Sequence, residues 1–113
     1  MRDAFQPCTY ILASHRSGTL YVGVTSNLVQ RMWQHRNGVS KGFADRHRAY
    51  RLVHFELFGT MALAIAREKQ LKNWHRPWKI NLIEEGNSEW RDLSFDIGAG
   101  SIGQAMDAET SSA

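Results

Sequence analysis

Cysteine is nearly absent from this chain: Cys8 stands alone in 113 residues, and one thiol can form neither an intramolecular disulfide nor a Cys-rich zinc site. A reducing cytoplasm is the simplest setting. Long apolar runs are missing as well. No stretch approaches the ~18 uncharged apolar residues of a membrane span, and residues 1–20 mix Arg2, Asp3 and Gln6 with apolar positions instead of forming the h-region of a secretory signal. The expectation is a soluble protein with no membrane association. Catalytic motifs are short of context as well. The GxSxG spacing at Gly38–Gly42 falls in a loop after a helix and the GxGxxG spacing at Gly98–Gly103 falls in the tail, so neither has the strand-to-helix setting its chemistry needs, and there is no internal repeat. The histidines His15, His35, His47, His54 and His75 show neither HxxxH nor HExxH spacing, which removes the common histidine-based metal sites. Cys8 has nothing nearby in sequence to lower its pKa, so a thiolate nucleophile is not indicated.

What is present fits one domain with a modest core, since domains commonly run about 100–150 residues. Charge is unevenly spread. The segment from Phe95 onward holds Asp96, Asp107 and Glu109 and no Lys or Arg, so leaving out its three acids raises the net charge from +3 to +6 for residues 1–94. Between Arg31 and His54 lie Arg31, Arg36, Lys41, Arg46, Arg48 and Arg51 against the single acid Asp45. That density suits phosphate contacts, and equally a solvated basic loop. Gly98, Gly100, Ser101, Gly103, Ser111 and Ser112 mark residues 95–113 as a flexible tail following a folded domain over 1–94.

The pattern of elements starts with a hairpin. Thr9 to Ala13 and Leu20 to Val24 are rich in β-branched and aromatic residues, and the loop Ser14–Thr19 between them contains Gly18. Thr25, Ser26 and Asn27 offer N-caps for a helix from about Asn27 to Arg36, closed by Asn37-Gly38. A basic loop over Val39–Ala49 leads to a third strand, Tyr50 to Phe58. In that strand Arg51, Val53, Phe55 and Leu57 form the mainly apolar set and are expected to face the core.

Thr60 caps a helix from Met61 to about Trp74. Its stripe of Met61, Ala64, Ile65 and Leu71 has Glu68 in the middle. A carboxylate there costs free energy unless it is paired, hydrogen-bonded or metal-bound; Lys72, four residues on, can supply an ordinary ion pair. Pro77 starts a further helix, about Trp78 to Glu85, ended by Gly86-Asn87. Trp74, Trp78 and Trp90 are expected to close the core on this side, with stacking on a base as the alternative use of an exposed tryptophan.

Elimination leaves Tyr10, Tyr21, Arg31, His35 and Glu68 as the residues able to carry chemistry. Arg31 and His35 are at i,i+4 and project from one helix face, and the two tyrosines come from strands expected to pair. In this order the residues resemble the GIY-YIG nucleases, specifically their small single-domain bacterial members. The likeness covers about Tyr10 to Leu93. Thr9-Tyr10-Ile11 stands at the first triplet, which lacks its glycine, and Tyr21-Val22-Gly23 is the second. Arg31 follows eight residues after Gly23 and His35 four after that, and Ala64–Lys72 resembles the helix that carries the family's metal-binding glutamate.

The resemblance implies an α/β (α+β) domain with a small, mostly antiparallel three-stranded sheet flanked by helices. It also implies a metal-dependent endonuclease acting on DNA, with damaged or branched forms, and hence repair, as candidate roles. Glu68 would be the only direct protein ligand of one divalent metal, Mg2+ or Mn2+; magnesium keeps several waters and needs few protein oxygens. Tyr21 matches the tyrosine that activates the attacking water, and Tyr10 the partner that positions it or the phosphate. A tyrosine with a pKa near 10 is a poor base at pH 7, so its proton must be drawn off by nearby positive charge or relayed. Arg31 would hold the scissile phosphate, and His35 would share a proton or contact phosphate. The family's late asparagine falls at Asn81 or Asn87, with Asn87 preferred because it closes a helix and could turn toward the sheet. Val24 stands where some nucleases carry lysine, which removes one contact. A binding module that keeps the fold but cuts poorly is the alternative reading, and a domain that docks an acidic protein is a third. No additional DNA-binding domain is expected, so specificity would be low or supplied by a protein partner.

Overall fold

The computed structural model describes residues 5–37 and 48–97. Most of the basic loop at 39–49, including Lys41 and Arg46, and most of the tail at 95–113 lie outside the described residues. The elements run β1 (Cys8–Ala13), β2 (Leu20–Thr25), α1 (Leu28–Arg36), β3 (Arg51–Leu57), α2 (Met61–Asn73) and α3 (Arg76–Gly86), then a short 3-10 turn, Leu93–Phe95. The sheet has three antiparallel strands in the order β2-β1-β3, the architecture the resemblance implies.

β1 is the central strand, and all six of its residues are buried. That explains why CTYILA is apolar without alternation: a strand covered on both faces has no solvent side. Cys8, Tyr10 and Leu12 meet Leu28 and Met32 of α1 on one face. On the other face Ile11 and Ala13 meet Leu71 of α2, Ile83 of α3 and Trp90. Burial pushes the Cys8 thiol up to about 12, so it behaves as a small core hydrophobe.

β3 departs from the simple alternation. Its pairing to β1 slips between Ile11, which faces His54, and Leu12, which faces Leu52. Val53 is the extra residue of a β-bulge, and a bulge resets the in-out alternation by one position. Leu52 and Val53 are therefore both fully buried, one in each core, and Leu57 is 57% exposed. The expected core set of Arg51, Val53, Phe55 and Leu57 is corrected accordingly.

The helices begin where their caps predict. Asn27 Oδ1 accepts the Gln30 N–H at 3.1 Å and Thr60 Oγ1 accepts the Leu63 N–H at 3.2 Å. Pro77 sits in the first turn of α3. Along α2 the buried pair is Ala64 and Leu71, while Ile65 is 37% exposed; one residue past Ala64 the helix has turned by about 100°. Trp90 is fully buried, Trp74 packs against the same cluster, and Trp78 is 53% exposed, at the start of α3 on its outer side. Trp78 thus does not close the core as expected. No helix among the described residues is long and apolar enough to cross a membrane.

Candidate active site

The register of the hairpin places Tyr10 directly opposite Gly23. A Cβ built on Gly23 would lie 2.5 Å from both Cζ and Oη of Tyr10, far inside contact distance. The glycine of the second triplet is therefore space for a phenol: the Tyr10 ring lies across β2 where any side chain would collide with it. This dependence spans two strands and is invisible in either triplet alone.

Around that crossing the helices deliver the remaining groups. The Leu28, Met32 and His35 stripe of α1 is buried, and it brings the His35 ring against both tyrosines. Ring centroids are 6.4 Å apart for Tyr10 and Tyr21, 6.3 Å for Tyr10 and His35, and 6.1 Å for Tyr21 and His35. Tyr10 Oη and His35 Nε2 are 3.5 Å apart, a long contact that marks proximity more than a strong hydrogen bond. Burial, and next the neighbouring Tyr21, push the Tyr10 phenol well above its usual range; Arg31 pulls the other way and Glu68 adds to the rise. Tyr10 thus stays neutral and suits positioning, not proton abstraction. Arg31 and Glu68 thus act on the Tyr10 phenol through their charge, while the ring contacts gather Tyr10, Tyr21 and His35.

Two of these groups differ in how they are satisfied. Arg31 Nε is buried with no hydrogen-bond partner among the described residues, a condition that ordinarily costs ~1–3 kcal/mol. Glu68, whose side chain is 13% exposed, pairs with Lys72 Nζ at 2.6 Å. The ordinary i,i+4 pairing considered from the sequence is present. No group of three or more His, Cys, Asp or Glu that could cage a metal exists among the described residues. One shielded carboxylate fits a largely hydrated Mg2+ or Mn2+ and does not fit a closed zinc or calcium cage.

Asn87 does turn toward the sheet. Its Nδ2 donates to Val53 O at 3.2 Å and Arg91 O at 2.9 Å, and its Oδ1 accepts the Arg91 N–H at 3.0 Å. These bonds fasten the turn that seats Trp90. Asn81 is exposed at the rim of a cavity shared with Trp74, Trp78, Leu82 and Glu85. The site asparagine is not drawn into the tyrosine cluster by any of these contacts. Lys79 was not singled out by the sequence. It meets Tyr21 across a cavity between β2, α2 and α3, and only the docking of α3 reveals that.

Comparisons with known proteins give the chain its family. The family model for the GIY-YIG catalytic domain matches residues 6–81, a span that ends at Asn81 and leaves Asn87 outside. A UPF0213 protein of Staphylococcus saprophyticus is 34% identical over 71 residues, covering 63% of this chain and 87% of that protein. A UPF0213 protein of Haloquadratum walsbyi is 35% identical over 68 residues, covering 60% and 76%, and one of Bacillus pumilus is 34% identical over 68 residues, covering 60% and 69%. No solved structure matches the chain significantly. The Tyr10 ring fitted over Gly23, the His35 ring against both tyrosines, and a family model spanning most of the chain together establish that this protein belongs to the GIY-YIG nuclease family.

Proposed function

We propose that the protein is a metal-dependent endonuclease that hydrolyses DNA phosphodiester bonds. The observation that carries this reading is Arg31: a buried guanidinium Nε with no hydrogen-bond partner among the described residues, whose charge acts on Tyr10, itself packed with Tyr21 and His35. A phosphate oxygen is the natural acceptor for such a fork of donors. Its arrival would relieve the orphan donor and fix the reacting phosphorus against the tyrosines.

Glu68 would hold a single Mg2+ or Mn2+, whose charge stabilises the phosphate and the leaving oxygen. Lys72 pairs with Oε2 of that carboxylate, and a metal there would compete with it or take Oε1. Arg31 binds the scissile phosphate. Tyr21, which lines the cavity beside β2, takes the proton of the attacking water at its Oη as its own phenolic proton passes to the His35 ring packed against it. Tyr10, held neutral by burial, fixes the orientation of that phenol. Water oxygen bonds to phosphorus as the bond to the leaving oxygen breaks; the leaving oxygen takes a proton from solvent, and His35 returns its proton to solvent. Asn87 acts in this account through the turn it fastens. A cytoplasmic role on damaged or branched DNA, with specificity supplied by a protein partner, is part of the proposal.

The test is incubation of the purified protein with duplex, single-stranded and branched DNA plus magnesium or manganese, beside Glu68→Ala and Tyr21→Phe. Metal-dependent cutting that both substitutions abolish is the expected result. Cutting that survives both overturns the mechanism, and binding without any cutting leaves the fold as a binding module.

A further inference from the structure

β2 is an edge strand, since β1 occupies only one of its sides. Beyond that edge lies a cavity of about 270 Å³ lined by Leu20, Tyr21, Val22, Lys72 and Lys79. Its charged groups are both cations, and they are not equivalent. Lys72 is engaged by Glu68. No acid pairs with Lys79 among the described residues. Lys79 is half-buried, and burial and then Arg76 lower its pKa. Arg76 itself donates to the carbonyls of Ser17 and Gly18 and so is anchored by the hairpin loop. An ammonium drawn partly out of water, next to a second cation and lacking a counter-ion, is unfavourably placed until an anion arrives.

The anion is identified by what shares the cavity. Tyr21 and Lys79 line the same cavity, so a chain that reaches Tyr21 lies within the space Lys79 faces. A nucleic-acid strand brings one phosphate per nucleotide into that space, and a lysine serves phosphate as a compact point charge with three donors. We propose that the cavity between β2, α2 and α3 is a second phosphate subsite, in which Lys79 holds a phosphodiester neighbouring the scissile one. The ligand's identity rests on the nuclease reading. The site sets how the strand is registered on Tyr21 and Arg31, and Lys79 itself does not touch the bond that is cut.

The experiment measures binding of a short DNA duplex by fluorescence anisotropy between about 50 and 200 mM salt, for wild type, Lys79→Gln, Lys79→Arg and, as a control of equal charge change, Lys69→Gln on the exposed side of α2. Thermal melting checks that each variant folds. Loss of one phosphate contact lowers the slope of log K against log salt by about 0.9 and weakens binding about eightfold at ~0.1 M salt. That result is expected for Lys79→Gln alone, with recovery in Lys79→Arg. An unchanged slope in Lys79→Gln, or an equal loss in Lys69→Gln, overturns the subsite. Inorganic phosphate at matched ionic strength is the second arm: phosphate binding that depends on Lys79, with DNA affinity and salt slope unchanged in Lys79→Gln, would make this a site for the free anion and would overturn the strand assignment. Failure of the nuclease reading looks different: no metal-dependent cutting, with the Lys79 contribution to binding intact.

Discussion

The two edges of the sheet satisfy their polar groups in opposite ways. Along β3, Glu56 accepts both Nε and Nη2 of Arg67 and is bonded to His54 Nε2 at 2.8 Å, Arg67 lies over the Trp74 ring, and Arg51 donates to Trp90 O at 3.0 Å. Asp92 takes Arg36 and the N–H groups of Leu52 and Ser94. Asn87 has every side-chain donor and acceptor engaged. On the β2 side, among the described residues, Arg31 Nε has no hydrogen-bond partner and Lys79 pairs with no acid. Saturated polar groups stabilise a fold, while unsaturated ones are held in readiness for a ligand at a cost in stability.

The largest break in that contrast is expected on the saturated side. Trp90→Ala removes a fully buried indole and its Nε1 bond to Glu84 at 2.7 Å, and should lower unfolding free energy by about 3–5 kcal/mol in denaturant titration. Asn87→Ala follows, at about 1–3 kcal/mol for each buried group left unsatisfied; cleavage should fall only in proportion to the folded fraction. Gly23→Ala probes the unsaturated side through shape. The new methyl must displace the Tyr10 phenol, costing about 1–3 kcal/mol, and metal-dependent cleavage should drop even in protein that melts as a folded domain.

The smallest effect concerns pH. Glu56 has its pKa lowered from the ordinary 4.5; burial opposes the shift, and the hydrogen bonds from Arg67 and His54 overcome it. A carboxylate depressed in the folded state contributes stability that is complete above its unfolded value and is lost as pH falls through the folded one. Wild type should therefore lose stability below pH 4.5 more steeply than Glu56→Gln, and melting temperatures recorded across that range would show the two curves converging.

Much of this was legible in the chain. The hairpin, the Asn27 and Thr60 caps and the Tyr10, Tyr21, Arg31, His35 set are local patterns, and local patterns report strands, caps and helix faces. Three features were not. The bulge at Val53 depends on pairing with β1, and no period-2 count contains it. Trp78 lies 53% exposed, and which face of α3 meets the sheet is set by tertiary packing that a count along the helix does not contain. Lys79 joins Tyr21 only through the docking of α3 on the β2 edge. The role of Gly23 is intermediate: the residue was visible, and its reason, the ring of Tyr10 one strand away, was not.

Arg31→Met tests the central claim most directly, by paired measurement of metal-dependent DNA cleavage and unfolding free energy. Methionine keeps much of the stem and removes the orphan donor. The account predicts a loss of cleavage of about 10²–10³-fold with stability unchanged or raised by ~1 kcal/mol. Cleavage that persists, or a domain clearly destabilised by the change, would contradict it, because Arg31 would then be serving the fold and not the phosphate.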